Sequence, residues 1–395
     1  MQHKPAKLAL ADGTIFHGLA FGAAATRGGE LVFNTAHTGY QEVLTDPSYA
    51  GQIVCMTSAQ QGNYGIARDD DESASLFIEG FVVRELSNIA SNYRSEANLH
   101  DWLLRHGVPG ISGIDTRALT LRLRETGAIN AVIDTTGQPD SELVRQACAI
   151  RSLAGADLVS KVATREAVEW TAGPMTEFAV PFDGHPGGQK TVVAIDCGMK
   201  RNILRSLVGI GCRVWVVPPT TSSASIRDYR PDGIFVSNGP GDPAAVHYVI
   251  RTLRELASEV PTFGICLGHQ LLAEAFGAGT FKMKFGHHGY NHPVRNSMTD
   301  RVEITSQNHG FAVSPDALNA AGLELTHVNL YDGTVEGFRH RELPVFAVQY
   351  HPEAAPGPHD AAYLFDVFRS VMNEKTTPSA SQMRDAQARL AATVS

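Results

Sequence analysis

From Thr191 onward the chain alternates short, uninterrupted apolar runs with segments whose apolar residues recur at helical spacing. Residues 192–195, 212–217 and 233–236 are runs of the first kind. Ile203, Leu204, Leu207 and Val208 form one helical face, and Val246, Val249, Ile250, Leu253 and Leu256 form another. A strand that is apolar on both sides must be covered on both sides. This order therefore predicts an α/β domain with a doubly wound, mostly parallel sheet. In such sheets, sites lie beyond the carboxyl ends of the strands.

One of those ends carries a reactive side chain. In Pro261-Thr-Phe-Gly-Ile-Cys-Leu-Gly-His-Gln270, an apolar strand gives way after Cys266 to helical spacing at Leu267, Leu271, Leu272, Ala275 and Phe276. Gly264 and Gly268 flank Cys266 in the G-x-C-x-G form of a nucleophile elbow, a strand-to-helix turn too tight for side chains beside the central residue. A sulfur held there meets the positive end of the new helix, which favours thiolate. A buried structural cysteine is the competing reading.

Three further stretches reach the same sheet edge. Ser237-Asn-Gly-Pro-Gly-Asp-Pro243 follows the strand Gly233–Val236. It lacks the features of a P-loop or dinucleotide fingerprint, and it reads either as an oxyanion hole, through the bare amides of Gly239 and Gly241, or as a plain turn. Gln349-Tyr-His-Pro-Glu353 follows the strand Val345–Val348. Pro352 fixes the backbone so that Glu353 can bond the imidazole of His351, giving a Cys…His…Glu triad for acyl transfer. Ser306 to Phe311 reads as a polar turn. The histidines of 284–292 suggest a metal, but His287 and His288 point apart on regular structure and no Cys or carboxylate sits near, so no metal is expected.

At 395 residues the chain exceeds one ordinary core. The first half mixes elements and predicts a smaller α+β domain. Residues 8–10 and 14–16 flank an Asp12-Gly13 hairpin turn; 31–33, 52–57, 76–84 and 129–133 are further strands. Leu99–Arg105 is a helix, Asp115 caps a second that Gly127 closes, and another follows Asp140. Residues 162–178 form a short packed extension. The polar stretch 34–54 and the turn 62–65 are either surface loops or an interface. Pro and Gly without periodicity mark a linker. The expected domains are 1–180, a linker at 181–190, 191–375, and a tail at 376–395 that is either an alanine-rich helix or disordered.

A net charge of −8 without any basic block argues against nucleic-acid or membrane partners. Five scattered cysteines without a C-x-x-C pair argue against a disulfide framework. With no signal-peptide core, a cytoplasmic protein is expected.

The motifs SNGPGDP (237–243), FGICLGHQLL (263–272), SQNHGF (306–311) and YHPEA (350–354) resemble class I glutamine amidotransferases. FNTAHTGYQEVLTDPSYAGQIV (33–54), GNYG (62–65), ASNYRS (90–95), IDTRALT (114–120), MKFGHHGYNHPV (283–294) and PGPHDAAYLFD (356–366) resemble the small subunits of carbamoyl-phosphate synthetases. Residues 58–61, Cys197 and the tail depart from that pattern. The resemblance implies Cys266 as nucleophile, His351 as acid/base, Glu353 as its orienting carboxylate, and the amides of Gly241 and Leu267 as oxyanion donors. It implies that glutamine is held by Ser48, Gly239, Gly241, Leu267, Gln270, Asn308, Gly310 and Phe311, with Ser48 reaching over from the first domain. It also implies that ammonia passes to a large subunit using ATP, Mg and bicarbonate to make carbamoyl phosphate for arginine and pyrimidine synthesis, in a heterodimer that assembles further. No cofactor is expected in this chain. The residues alone leave a free-standing cysteine hydrolase open. An amidotransferase for another synthetase lacks such a first domain, and a silent regulatory module would not need an intact triad.

Overall fold

The computed structural model describes residues 4–174, 188–355 and 357–394. They fall into two compact units, Met1–Ala156 with Lys284–Gly289, and Asp157–Met283 with Tyr290–Ser395.

The first unit contains a closed seven-stranded barrel. In spatial order its strands are Pro5–Leu10, Ile15–Gly22, Pro109–Ser112, Gly80–Val82, Gln52–Met56, Thr26–Asn34 and Ile129–Asp134. Leu8, Leu31, Ile53, Ile111 and Ile133 fill one buried cluster. The Asp-Gly hairpin is present: Ala9 pairs with Ile15, and Gly13 takes the positive φ that the turn requires. Asp115 caps the helix Thr116–Thr126 by accepting from the Ala118 amide at 2.9 Å. The strand expected at 76–84 is only Gly80–Val82, and Pro109–Ser112 was not foreseen because Pro and Gly speak against a strand.

The polar stretch 34–54 is not a surface loop. Asn34, Gln41, Thr45, Asp46 and Gln52 are buried. The turn 62–65 explains part of this. The Tyr64 hydroxyl accepts from the amides of Gly39 (2.7 Å) and Tyr40 (2.9 Å), two of the unpaired donors that open the helix Tyr40–Thr45. Gln41 in turn donates to the carbonyl of Ala67 at 2.6 Å. Buried polar groups need partners, and here Tyr64 and Ala67 supply several of them from just outside the stretch.

The second unit is built on a ten-stranded sheet. Cys212–Val217, Lys190–Ile195, Gly233–Val236, Thr262–Ile265 and Val345–Val348 lie side by side and parallel. Antiparallel strands extend the sheet on both sides. Both faces are covered, as the continuous apolar runs required. Val192 and Ala194 pack in one core with Ile203, Leu207 and Phe365, while Val193 and Ile195 pack in the other with Val249, Leu253 and Leu271.

The N-terminal part of the first unit runs to Ala156. Residues beyond it are bound to the sheet: Val159 lies in the second unit's core, and Val168–Trp170 pairs antiparallel with Cys212–Val217. Most of the expected linker, 181–187, and the end of the expected extension, 175–178, lie outside the described residues. The tail is a helix, Ala380–Val394, with Met383 and Ala386 buried in the core that holds Phe365.

Candidate active site

Neighbouring parallel strands end together, and this brings Cys266 and His351 to one edge. Ile265 pairs with Val348, and the Cys266 amide donates to the Val348 carbonyl at 2.9 Å. Cys266 stands at φ 55°, ψ −104°, at the start of the helix Leu267–Phe276. Only glycine visits such a conformation freely, so the elbow is strained at the residue that carries the sulfur. The flanking glycine has a visible cause: a β-carbon on Gly268 would overlap the Val236 carbonyl oxygen of the adjacent strand. Cys266 is buried, with its sulfur 3.5 Å from the Asn308 carbonyl oxygen.

His351 is locked from both sides. Its amide donates to the Ser306 carbonyl at 2.9 Å, and its Nδ1 lies 2.6 Å from Glu353 Oε1. Nε2 has no hydrogen-bond partner among the described residues. Burial disfavours a charged ring, but Glu353 and then Cys266 outweigh it and raise the imidazole to about 10. Burial likewise opposes ionisation of Glu353, yet Lys200 and His351 hold its carboxyl down at about 2.

Sequence reasoning missed Lys200. Its Nζ lies 3.1 Å from Glu353 Oε1, the oxygen that holds His351, and donates to the Ala354 carbonyl at 2.8 Å. Asn202 donates to the Glu353 carbonyl at 2.5 Å. Both stand at the start of the helix Arg201–Gly209, after the carboxyl end of Lys190–Ile195. That position was the available signal, since the site rule for such sheets applies to every strand end. Lys200 thereby holds Ala354, which with Ala355 sits in the left-handed region at φ 49° and 54°.

The other anticipated residues divide. Gly239 and Gly241 follow the strand Gly233–Val236, and Gly239 is pressed against Cys197, whose carbonyl oxygen a β-carbon would overlap. Leu267 opens the elbow helix. Asn308, Gly310 and Phe311 lie on the long strand Arg301–Val313 and not in a turn. The polar run misled because its side chains find internal partners; His309, for example, places Nε2 3.0 Å from Gln307 Oε1. Gln270 already donates to the Phe311 carbonyl (2.9 Å) and to Gln349 Oε1 (3.0 Å), so its amide nitrogen braces the site wall. Ser48 belongs to the first unit, in the turn Pro47–Tyr49, where its amide donates to Asp46.

A sulfur at a strained helix start, beside a charged imidazole held by a carboxylate, is equipped for nucleophilic acyl transfer. No helix among the described residues is long and apolar enough to cross a membrane.

Residues 193–371 match the family model "Glutamine amidotransferase class-I", and residues 8–133 match "Carbamoyl-phosphate synthase small chain, CPSase domain". A carbamoyl phosphate synthase small chain from a Nostoc species is 53% identical over 380 residues, covering 95% of this chain and 97% of its own. The one from Chlorobaculum tepidum is 53% identical over 375 residues, covering 94% and 99%. A third, from a Synechocystis species, is 52% identical, covering 94% and 97%.

Proposed function

Because this chain belongs to the carbamoyl phosphate synthase small chain family, we propose that Cys266, His351 and Glu353 make it the glutamine-hydrolysing subunit of that enzyme. The carrying observation is the convergence of Cys266 with a His351–Glu353 pair at 2.6 Å on adjacent strand ends. Cys266 attacks the side-chain amide carbon of glutamine as thiolate, its proton resting on His351. The backbone amides of Gly241 and Leu267 receive the oxyanion. His351 protonates the departing nitrogen, and ammonia leaves. Water, deprotonated by His351, then hydrolyses the γ-glutamyl thioester to glutamate.

Gly239, Gly241, Leu267, Asn308, Gly310 and Phe311 hold glutamine in this reading, and Gln270 acts mainly by bracing Phe311 and Gln349. Ser48 enters the set on the resemblance alone. Ammonia is handed to a large subunit, which uses ATP, Mg and bicarbonate to form carbamoyl phosphate for arginine and pyrimidine synthesis. The pair forms a cytoplasmic heterodimer that assembles further. The test is Cys266→Ser with the large subunit present. Glutamine-dependent carbamoyl phosphate formation should vanish while ammonia-dependent formation persists; undiminished use of glutamine would sink the assignment.

A further inference from the structure

Beside the strand end that carries His351 lies a second buried polar cluster, which the acyl-transfer chemistry does not use. At its centre is Glu303. One carboxylate oxygen, Oε2, accepts the Tyr350 hydroxyl at 3.3 Å. The other, Oε1, accepts the Tyr363 hydroxyl at 2.8 Å and Gln387 Nε2 at 3.0 Å. Asn296 Nδ2 donates to the Tyr363 hydroxyl at 2.9 Å. All five residues are buried. Their donors arrive from different elements: the strand end at Tyr350, the helix Tyr363–Glu374, and the helix Ala380–Val394. The last of these starts beyond residue 371, where the amidotransferase match ends.

The cluster is tied to His351 in two ways. Tyr350 is its immediate chain neighbour, so anchoring that hydroxyl fixes the peptide leading into the imidazole. The strand Arg301–Val313, which carries Glu303, also holds the His351 amide through Ser306 and brings the Asn308 carbonyl to the Cys266 sulfur. One strand therefore sets the position of both reacting side chains, and Glu303 is its fastening point to the C-terminal helix.

Resting on the glutaminase reading above, we propose that Glu303 and Gln387 are positioning residues for this site, through which the C-terminal helix latches Tyr350 and so fixes His351 against Cys266. A pure packing role for the tail predicts a loss of stability and nothing else. A latch predicts a change in the chemistry of protein that is still folded.

The experiment uses the full chain carrying Gln387→Leu, Tyr350→Phe, or both, assayed for glutamine hydrolysis well below each melting temperature. Each single variant is expected to lower kcat about five- to tenfold while KM for glutamine moves less than about twofold. Alkylation of Cys266 by iodoacetamide should slow by a similar factor. Both substitutions act through Glu303, so the double variant should lose little more than the worse single one. Should Gln387→Leu fail to fold, Gln387→Met removes the same donor at nearly the same length. A lowered melting temperature with unchanged kcat and unchanged alkylation overturns the latch, and so does strict additivity. Cys266→Ser run in parallel separates the two ideas. If it still hydrolyses glutamine, the glutaminase reading has failed and the latch falls with it. If it is inactive while Gln387→Leu matches the unmodified protein, only the latch has failed.

Discussion

Glu353 and Glu303 are both buried carboxylates of the second unit, each 3% exposed, yet they hold their protons very differently. Burial pushes each of them toward the neutral acid. At Glu353, Lys200 and His351 reverse that push and hold the group at about 2. At Glu303 the neighbours are the neutral donors Tyr363, Gln387, Tyr350 and Asn296, which only soften it, and the carboxyl rises to about 7. The lesson is one of magnitude. Hydrogen bonds from neutral groups moderate the cost of burying a carboxylate, whereas cations within about 4–6 Å abolish it. The region that needs a permanent anion has been given two cations; the region that needs a fastening has been given none.

The most severe way to test the first half of that contrast is Glu353→Gln. An amide cannot stabilise the imidazolium, and the ring loses its tautomeric guide. Glutaminase kcat is expected to fall about a thousand- to ten-thousandfold, by the measure of comparable triads. Steady-state kinetics would expose the error if the loss stayed within tenfold. Lys200→Met comes next. Its ion pair with Glu353 is buried, and removing one partner of such a pair costs roughly 3–5 kcal/mol. Urea denaturation at neutral pH should show it, and a loss below about 1 kcal/mol would mean that His351 alone suffices to hold the carboxylate.

The second half is tested by pH. A carboxyl raised from 4.5 to about 7 makes the folded state bind its proton more tightly. That contribution is full below pH 4.5 and is lost as pH climbs to 7, by roughly 3 kcal/mol. Glu353 runs the other way: its contribution is full above pH 4.5 and is lost as pH falls toward 2. The charged His351 contributes fully below pH 6.5, and this fades as pH rises toward 10. Glu303→Gln should therefore flatten the stability profile between pH 5 and 7 relative to the unmodified protein, leaving the acid limb untouched. Parallel denaturation curves for the two proteins across that window would refute the assignment. The smallest effect belongs to Tyr363→Phe, which removes one neutral donor and should cost about 1 kcal/mol. It sharpens the contrast if its penalty grows with pH, as the bare carboxylate ionises.

That Cys266, His351 and Glu353 meet at one sheet edge could be read from sequence because the signals are local. The elbow is a change of period flanked by two glycines, and His351 and Glu353 are two residues apart after an apolar run. Glu303 could not, and Lys200 only through its place after a strand end. Lys200 meets Glu353 across 153 positions, and Glu303 meets Gln387 across 84, with no pattern in either neighbourhood to announce the pairing. Barrel closure in the first unit escaped for a related reason. Pairings such as that of Lys7 with Asp134 join the first and last strands of the barrel, far apart in sequence, and no strand carries a mark of its partner. Residues 306–311, the middle of the strand Arg301–Val313, read as a turn because they are polar, and only the fold reveals that side chains such as Gln307 are buried and paired.

The backbone of Cys266 has one more implication, for variation in living populations. A glycine would adopt φ 55°, ψ −104° without strain, so Cys266→Gly relaxes the turn while deleting the sulfur. Most substitutions that abolish a catalytic group also leave folding intact or weaken it, and weakened copies are cleared by proteolysis. On the glutaminase reading this copy is inert, and relief of the strained turn offsets part of what glycine costs in chain entropy, so it passes that filter more readily than other inactivating changes. Such copies would persist and compete with active chains for the same large subunit, so heterozygous or mixed expression would lose more glutamine-dependent synthesis than the fraction of altered chains alone accounts for.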